Sequence, residues 1–262
     1  MTAPRPAAVA NGLARLGAIG VATTLVVLAV SVWLRVNTSL DAAGNAVSSL
    51  GTAGEQALRG LHRVAASATG LVAIVAAVLV ARYRPRPRGQ LAALALVISM
   101  TLALAAAGRF TAGYRLPGIT IVNVAAGIAL AAGFLWLRLS APGCVPGVRP
   151  RVGFAGVALC VAFVHSALGA AASAHTMHRA SISLEPWHVG LGFAVTAVCV
   201  VAAARDGGAR GWRLALALAA LAQLGTGMWL SASGETFAPA TAWFHAALAA
   251  AVVLMLLRIA VR

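Results

Sequence analysis

The chain has 262 residues, of which 61% are hydrophobic and only 10% are charged, and its mean hydropathy is +0.92. This composition excludes an ordinary soluble globular domain and indicates an integral membrane protein. The formal net charge of +15 does not indicate nucleic-acid binding, because the basic residues are all arginines and most lie in short loops between apolar runs, where they set topology.

Eight apolar segments can be counted along the chain, each close to the roughly 20 residues that cross a bilayer as a helix. We interpret the first as a retained span, because its apolar run is longer than the core of a signal peptide. An even number of spans places both termini on one side of the membrane. The predicted spans are 16–34, 61–81, 91–107, 118–137, 152–173, 187–204, 212–231 and 241–257.

The distribution of arginines predicts on which side of the membrane the two termini lie. With the N-terminus inside, fourteen of the 20 arginines fall in cytoplasmic segments, and four of the five acidic residues fall outside. The positive-inside rule therefore predicts that both termini are cytoplasmic. The even-numbered spans then begin at the outer face, which places His62, His188 and His245 near that face.

A connector rich in proline and glycine at 143–150 falls near the middle of the chain. It predicts a boundary between an N-terminal half, residues 1–142, and a C-terminal half, residues 143–262, with four spans in each. The predicted fold is therefore an all-α integral membrane protein, in which eight transmembrane helices form two pseudo-symmetric four-helix bundles.

The spacing of polar side chains supports this division. His188 and His245, on the sixth and eighth spans, are 57 residues apart (245 − 188), while His62 and Asn123, on the second and fourth, are 61 apart (123 − 62). The same two helices of each half thus carry a polar group. This pattern is expected of a repeat related by an axis along the membrane normal.

His188 and His245 are the strongest candidates for a functional site. An ionisable side chain within a span is costly and usually has a partner or a function. Because both lie a few residues inside the outer ends of their helices, two imidazoles at one depth could bind the iron of a b-type haem. The alternative is a pair of buried histidines that hydrogen-bond to the backbone or to each other. The flanking Trp187, Trp243 and Phe244 either stack on a macrocycle or belong to an interfacial aromatic belt.

The dipeptide His62-Arg63 opens the second span. An imidazole beside a guanidinium suits a second haem, the first group for iron and the second for a propionate. The alternative is an arginine that sets topology beside a structural histidine. Asn123, the counterpart of His62, is a poor iron ligand. Glu55 lies seven residues before His62, two turns away on the same face if the helix continues that far outward.

The outer loop at 174–179 carries His175, His178 and Arg179. It is predicted to be a solvated loop or a roof over a haem, with Arg179 on a propionate, and a surface metal site is the alternative. His165, inside the fifth span, either hydrogen-bonds across helices or lines a cavity. The three cysteines have no CxxC spacing and indicate neither a disulfide nor a structural metal site.

These features resemble the haem A synthase family of cytochrome oxidase biogenesis. The resemblance rests on the order of eight spans in two halves, on His62-Arg63 at the second span, and on His188 and His245 near the starts of the sixth and eighth. The stretch 35–39, which closes the first span with an arginine, a threonine and a serine, is also similar to a stretch of that family.

The resemblance implies that the C-terminal half binds one haem b through His188 and His245. It also implies that the N-terminal half holds haem O, whose C8 methyl is oxidised with the help of a glutamate three residues before the first histidine. Here that position is Arg59, and the second N-terminal histidine is replaced by Asn123. Because an arginine cannot act as a general base, the resemblance predicts an intact C-terminal cofactor site and a degenerate N-terminal catalytic site.

Three functions follow as hypotheses. The first is a haem b-binding protein of the bacterial cytoplasmic membrane that acts in membrane redox or with respiratory oxidase and haem-biosynthesis proteins. The second is an active haem A synthase, in which Glu55 replaces the missing carboxylate and His62 alone holds the substrate iron. The third is a haem-free transporter or structural membrane subunit, although the predicted spans contain few charges and no helix pair broken by glycine or proline.

Overall fold

The computed structural model describes residues 6–40, 46–82, 88–110, 117–140, 154–177, 184–205, 210–233 and 239–260. These residues contain eight helices, each long and apolar enough to cross a membrane, which confirms the predicted multi-pass all-α membrane protein. The helices are α1 (Pro6–Val36), α2 (Gly51–Arg82), α3 (Arg88–Gly108), α4 (Pro117–Leu139), α5 (Phe154–Met177), α6 (Glu185–Arg205), α7 (Arg210–Ser233) and α8 (Pro239–Ala260).

Between α1 and α2 the structure contains a short hairpin that hydropathy does not predict. Strands β1 (Thr38–Leu40) and β2 (Ala46–Ser48) pair antiparallel, with Thr38 opposite Ser48. The turn before β1 is closed by side chains, because the Asn37 amide donates to the Trp33 carbonyl over 2.9 Å. Helix α2 then begins at Gly51, ten residues before the predicted span, so its first turns are polar.

The packing of the helices follows the two halves of the chain. Helix α1 packs against α2 and α4, and α3 packs against α2 and α4. In the second half α5 packs against α6 and α8, and α7 packs against α6 and α8. The two groups meet where α4 contacts α5 and α8, and where α1 contacts α8. Helices at matching positions in the two halves thus have matching neighbours.

Glycines allow α1 and α4 to approach each other closely. A Cβ atom at Gly17 would lie 2.8 Å from the carbonyl oxygen of Phe134, and one at Gly20 would overlap the Phe134 ring. Phe134 is fully buried as a result. Further along the same two helices, Leu28 of α1 packs onto Gly127 of α4. In lipid the hydrophobic effect does not hold helices together, so such close packing of small residues is a main source of stability.

Candidate haem-ligand site

Three imidazoles come together in the C-terminal half of the chain. His165 on α5 stacks on His188 of α6, with ring centroids 4.2 Å apart and planes inclined by 9°. His245 on α8 meets His188 edge to face, with centroids 5.9 Å apart and an interplanar angle of 85°. The structure therefore brings together the two histidines that the sequence pairs, and it adds a third.

Each imidazole lies against a glycine of a neighbouring helix. A Cβ atom at Gly169 of α5 would stand 2.6 Å from Cε1 of His188, and one at Gly227 of α7 would stand 3.0 Å from Cε1 of His245. At Gly192 of α6 the corresponding distance to Cε1 of His165 is 3.4 Å. The first two positions have little or no room for a side chain, so these glycines create the space in which the rings lie.

The hydrogen bonds of His245 fix its tautomer. Its Nδ1 lies 3.0 Å from the carbonyl oxygen of Gln223 and 3.1 Å from Oγ1 of Thr226. A carbonyl only accepts, and the single proton of the Thr226 hydroxyl is directed to its own helix, where the carbonyls of Ala222 and Gln223 are both within reach. Nδ1 of His245 must therefore carry the proton in the neutral ring, which leaves the lone pair on Nε2. Metal-binding histidines are held in this way by a partner on the other ring nitrogen.

His188 is positioned differently. Its backbone N–H donates to the Leu184 carbonyl over 3.0 Å at the start of α6, and its ring is half-buried. Its Nδ1 is buried and has no hydrogen-bond partner within the described part of the chain, and the same is true of Nδ1 of His165. Contacts of the ring itself, rather than a hydrogen bond to Nδ1, therefore determine the orientation of His188.

The residues present fit a haem iron by their chemistry, whereas the space between them is small. Two imidazoles on different helices, one with a fixed Nε2 lone pair, are the axial ligand set of a b-type haem. The cavity that the three histidines line with Gln223 and Met228 is about 30 Å³, enough for a water molecule but far too small for a porphyrin. Binding of a macrocycle between His188 and His245 therefore requires other lining side chains, such as those of Gln223 and Met228, to move aside.

The aromatic residues beside the histidines have different surroundings. Trp187 is 73% exposed and Phe244 is 48% exposed, as expected of side chains in an interfacial belt. Trp243 instead points to the other half of the chain, where its indole N–H donates to the Ala29 carbonyl over 2.9 Å and its ring meets Trp33 edge to face at 6.4 Å. None of the three lines the cavity among the described residues.

The N-terminal half contains a much larger cavity, of about 570 Å³, which lies among α1, α2, α3 and α4. A volume of roughly 300–1,000 Å³ is typical of sites for small organic ligands. His62, Arg63 and Asn123 all line it, so the structure brings together the polar residues that the sequence singles out in this half. Arg35 and Arg59 add further positive charge, and no acidic residue is among the described lining.

Glu55 lies on the same continuous helix as His62 but is not part of this cavity lining. Its carboxylate accepts a hydrogen bond from Nε of Arg59 over 2.7 Å, one helical turn away. Arg59 therefore contacts both the Glu55 carboxylate and the cavity. The structure continues α5 to Met177, so the prediction of a loop from residue 174 is wrong and His175 lies on this helix. The side chain of His175, and the whole of His178 and Arg179, lie outside the described residues.

No protein-family model matches the chain, and searches of curated proteins and of solved structures find no significant match. The chain is a membrane protein with eight spanning helices, three clustered histidines in its second half and a large basic cavity in its first half.

Proposed function

We propose that the chain binds one b-type haem between His188 and His245. The observation that carries this proposal is the contact of Nδ1 of His245 with the Gln223 carbonyl, which leaves the lone pair of the neutral ring on Nε2, in a ring whose centroid lies 5.9 Å from that of His188. Neutral imidazoles with such a partner are ordinary iron ligands. The low-dielectric bundle around them would tune the reduction potential of a haem held by two neutral imidazoles.

The proposed haem lies near the outer face of a bacterial cytoplasmic membrane, with both termini in the cytoplasm. The bias of arginines supports this topology. The matching neighbours of α1 to α4 and of α5 to α8 support two pseudo-symmetric four-helix bundles, residues 1–142 and 143–262. In this arrangement α6 and α8 are the counterparts of α2 and α4, which carry His62 and Asn123.

In the cell, such a protein serves membrane redox chemistry or the haem and assembly steps of a respiratory oxidase, as a member of the haem A synthase family. The residue pattern of His62-Arg63, His188 and His245 on eight spans supports this assignment. Arg179 is the proposed partner of a propionate of the C-terminal haem. The basic lining of the other cavity is suited to a ligand with carboxylate groups.

The test is a pyridine haemochrome spectrum of the detergent-purified protein, made on wild type and on the variants His188→Ala, His245→Ala and His62→Ala. We expect one b-type haem per chain, lost in the first two variants and retained in the third. A colourless wild-type protein, purified from cells with ample haem, would contradict the proposal and favour a haem-free transporter or structural subunit.

A second candidate function is oxidation of haem O to haem A in the N-terminal half. The cavity of about 570 Å³ with His62 in its wall favours this candidate, because it has room for a substrate and one imidazole for its iron. Glu55 is its proposed carboxylate, and it acts either through Arg59 or after that ion pair opens. Coexpression with a source of haem O tests it, since haem A in the extracted pigment would support the candidate and unchanged haem O would exclude it.

A further inference from the structure

His165 is the best-buried of the three histidines, at 4% exposure, and the proposed function assigns it no role. It lies in the middle of α5, where an ionisable side chain is costly unless it serves a purpose. Its ring is almost parallel to that of His188 at a centroid distance of 4.2 Å. The geometry of this pair therefore calls for an explanation that involves His188.

Helix α5 contacts the His188 ring at two places one turn apart. His165 covers a face of the ring, and Gly169, four residues later on the same side of the helix, leaves the room that the ring occupies. A side chain at Gly169 would overlap the ring, because its Cβ would lie 2.6 Å from Cε1, 3.1 Å from Nε2 and 3.2 Å from Nδ1 of His188. Together the two residues form a seat for the imidazole.

This seat takes the place of a hydrogen bond to Nδ1 of His188. The ring of His245 is oriented through its Nδ1 by Gln223 and Thr226, whereas Nδ1 of His188 has no such partner in the described chain. The backbone of His165 also interacts with the His188 ring, so α5 orients this ring through the stacked imidazole, through the space at Gly169 and through its own backbone. A ligand held by a neighbouring group normally binds its metal more tightly than one that is free to turn.

We propose that His165 is a positioning residue for His188, which fixes the ring plane of this ligand by stacking on its face. The inference rests on the proposed function, in which His188 binds the haem iron. Stacking and coordination are compatible, because the lone pair of an imidazole nitrogen lies in the plane of the ring while His165 occupies its face. His165 thus acts through His188 and does not contact the iron.

The test compares His165→Ala and His165→Leu, which remove the flat ring, with His165→Phe, which keeps a flat ring without nitrogen atoms. Ser166→Ala is the matched control, because within the described part of the chain its buried hydroxyl bonds only to the Ala162 carbonyl of its own helix, over 2.9 Å. The readouts are haem affinity by titration, the electron paramagnetic resonance spectrum of the oxidised haem, and the thermal unfolding of protein prepared without haem.

We expect the alanine and leucine variants to bind haem roughly tenfold more weakly, the loss typical of removing a group that orients a metal ligand. Their low-spin resonance should broaden, because the ligand planes are no longer fixed, and phenylalanine should restore both properties. Affinity and spectra equal to those of Ser166→Ala in the alanine and leucine variants would overturn the proposal. Complete loss of the low-spin signal in all three variants would also overturn it, since His165 would then be a ligand.

Failure of the proposed function gives a different result. If wild type binds no haem, the seat is judged by unfolding without haem, where loss of the stacked ring should lower the midpoint and phenylalanine should restore it. An unchanged midpoint in the alanine and leucine variants would overturn the seat itself. Haem bound normally by wild type and by all His165 variants would leave the proposed function standing and remove only the inference.

Discussion

Replacement of Gly169 by alanine tests the packing around His188 most directly. The added Cβ would lie 2.6 Å from Cε1 of His188, about 0.8 Å short of the 3.4 Å at which ordinary contact begins (3.4 − 2.6). Overpacking of this kind costs roughly 1–3 kcal/mol. The helix gains about 0.5–1 kcal/mol from alanine in place of glycine, so the net loss of stability is between about 0 and 2.5 kcal/mol (1 − 1 to 3 − 0.5).

The expected consequence of Gly169→Ala is a displaced His188 ring and haem binding weaker by roughly tenfold or more, the loss typical of disturbing a group that orients a metal ligand. The assay is a titration of the apoprotein with haem in detergent, with the thermal midpoint measured in parallel. Gly190→Ala on α6 is the matched control, because a Cβ there meets no atom within 4 Å. Equal affinities for the two variants would refute the reasoning, since they would show that Gly169 does not constrain the ring.

The other glycines extend this prediction into a graded series. At Gly227 the added Cβ would lie 3.0 Å from Cε1 of His245, which requires a shift of a few tenths of an ångström, and at Gly192 the distance to His165 is an ordinary 3.4 Å. Haem affinity should therefore fall most for Gly169→Ala, less for Gly227→Ala and least for Gly192→Ala. A different order, measured by the same titration, would show that the distances in this structure do not govern binding.

Three further predictions concern polar contacts. Thr226→Val removes one of two acceptors at Nδ1 of His245, so haem affinity should fall by less than about tenfold, as expected for a net loss near 1 kcal/mol; a complete loss would mean that Thr226 is essential. Trp243→Phe removes a hydrogen bond between the two halves and should lower the free energy of unfolding by about 0.5–1.5 kcal/mol. Trp187→Phe, at an exposed site, should not lower it, and equal effects of the two variants would contradict the role of Trp243. Glu55→Gln should leave the free energy of unfolding unchanged within about 0.5 kcal/mol, because the partly exposed ion pair with Arg59 is weak. The same variant should abolish any haem A formation, and full conversion of haem O by it would exclude Glu55 from that reaction.

Much of the fold follows from the sequence because lipid imposes a simple condition on it. Every backbone polar group in a span must be bonded within the span, so a long apolar run becomes a helix, and each of the eight predicted spans falls on a helix long and apolar enough to cross a membrane. The early start of α2 at Gly51 escapes hydropathy, because Glu55 and Arg59 make its first turns polar. Hydropathy cannot report a helix that continues beyond the membrane.

The candidate site was predictable in part, for a geometric reason. His188 and His245 lie near the starts of α6 and α8, so counting from the helix ends predicts two imidazoles at one depth, and their ring centroids lie 5.9 Å apart. His165 lies on α5, which runs in the opposite direction, and its depth depends on how far α5 and α6 are shifted along each other. The sequence shows that His165 and Gly169 are four residues apart and therefore share one face of α5. It does not show which helix that face contacts.

The donor atoms for a haem and the space for one lie in different halves of the chain. Imidazoles and glycines interlock in the C-terminal half and leave about 30 Å³, while the arginines and small hydroxyl residues of the N-terminal half do not fill their bundle and leave about 570 Å³. Side chains can be displaced at a cost of a few kcal/mol, whereas Asn123 cannot supply a second imidazole at any cost. We therefore expect the iron ligands, rather than the available space, to determine which half binds haem. Haem should then be lost in His188→Ala and kept in His62→Ala, and the reverse result would place the haem in the larger cavity.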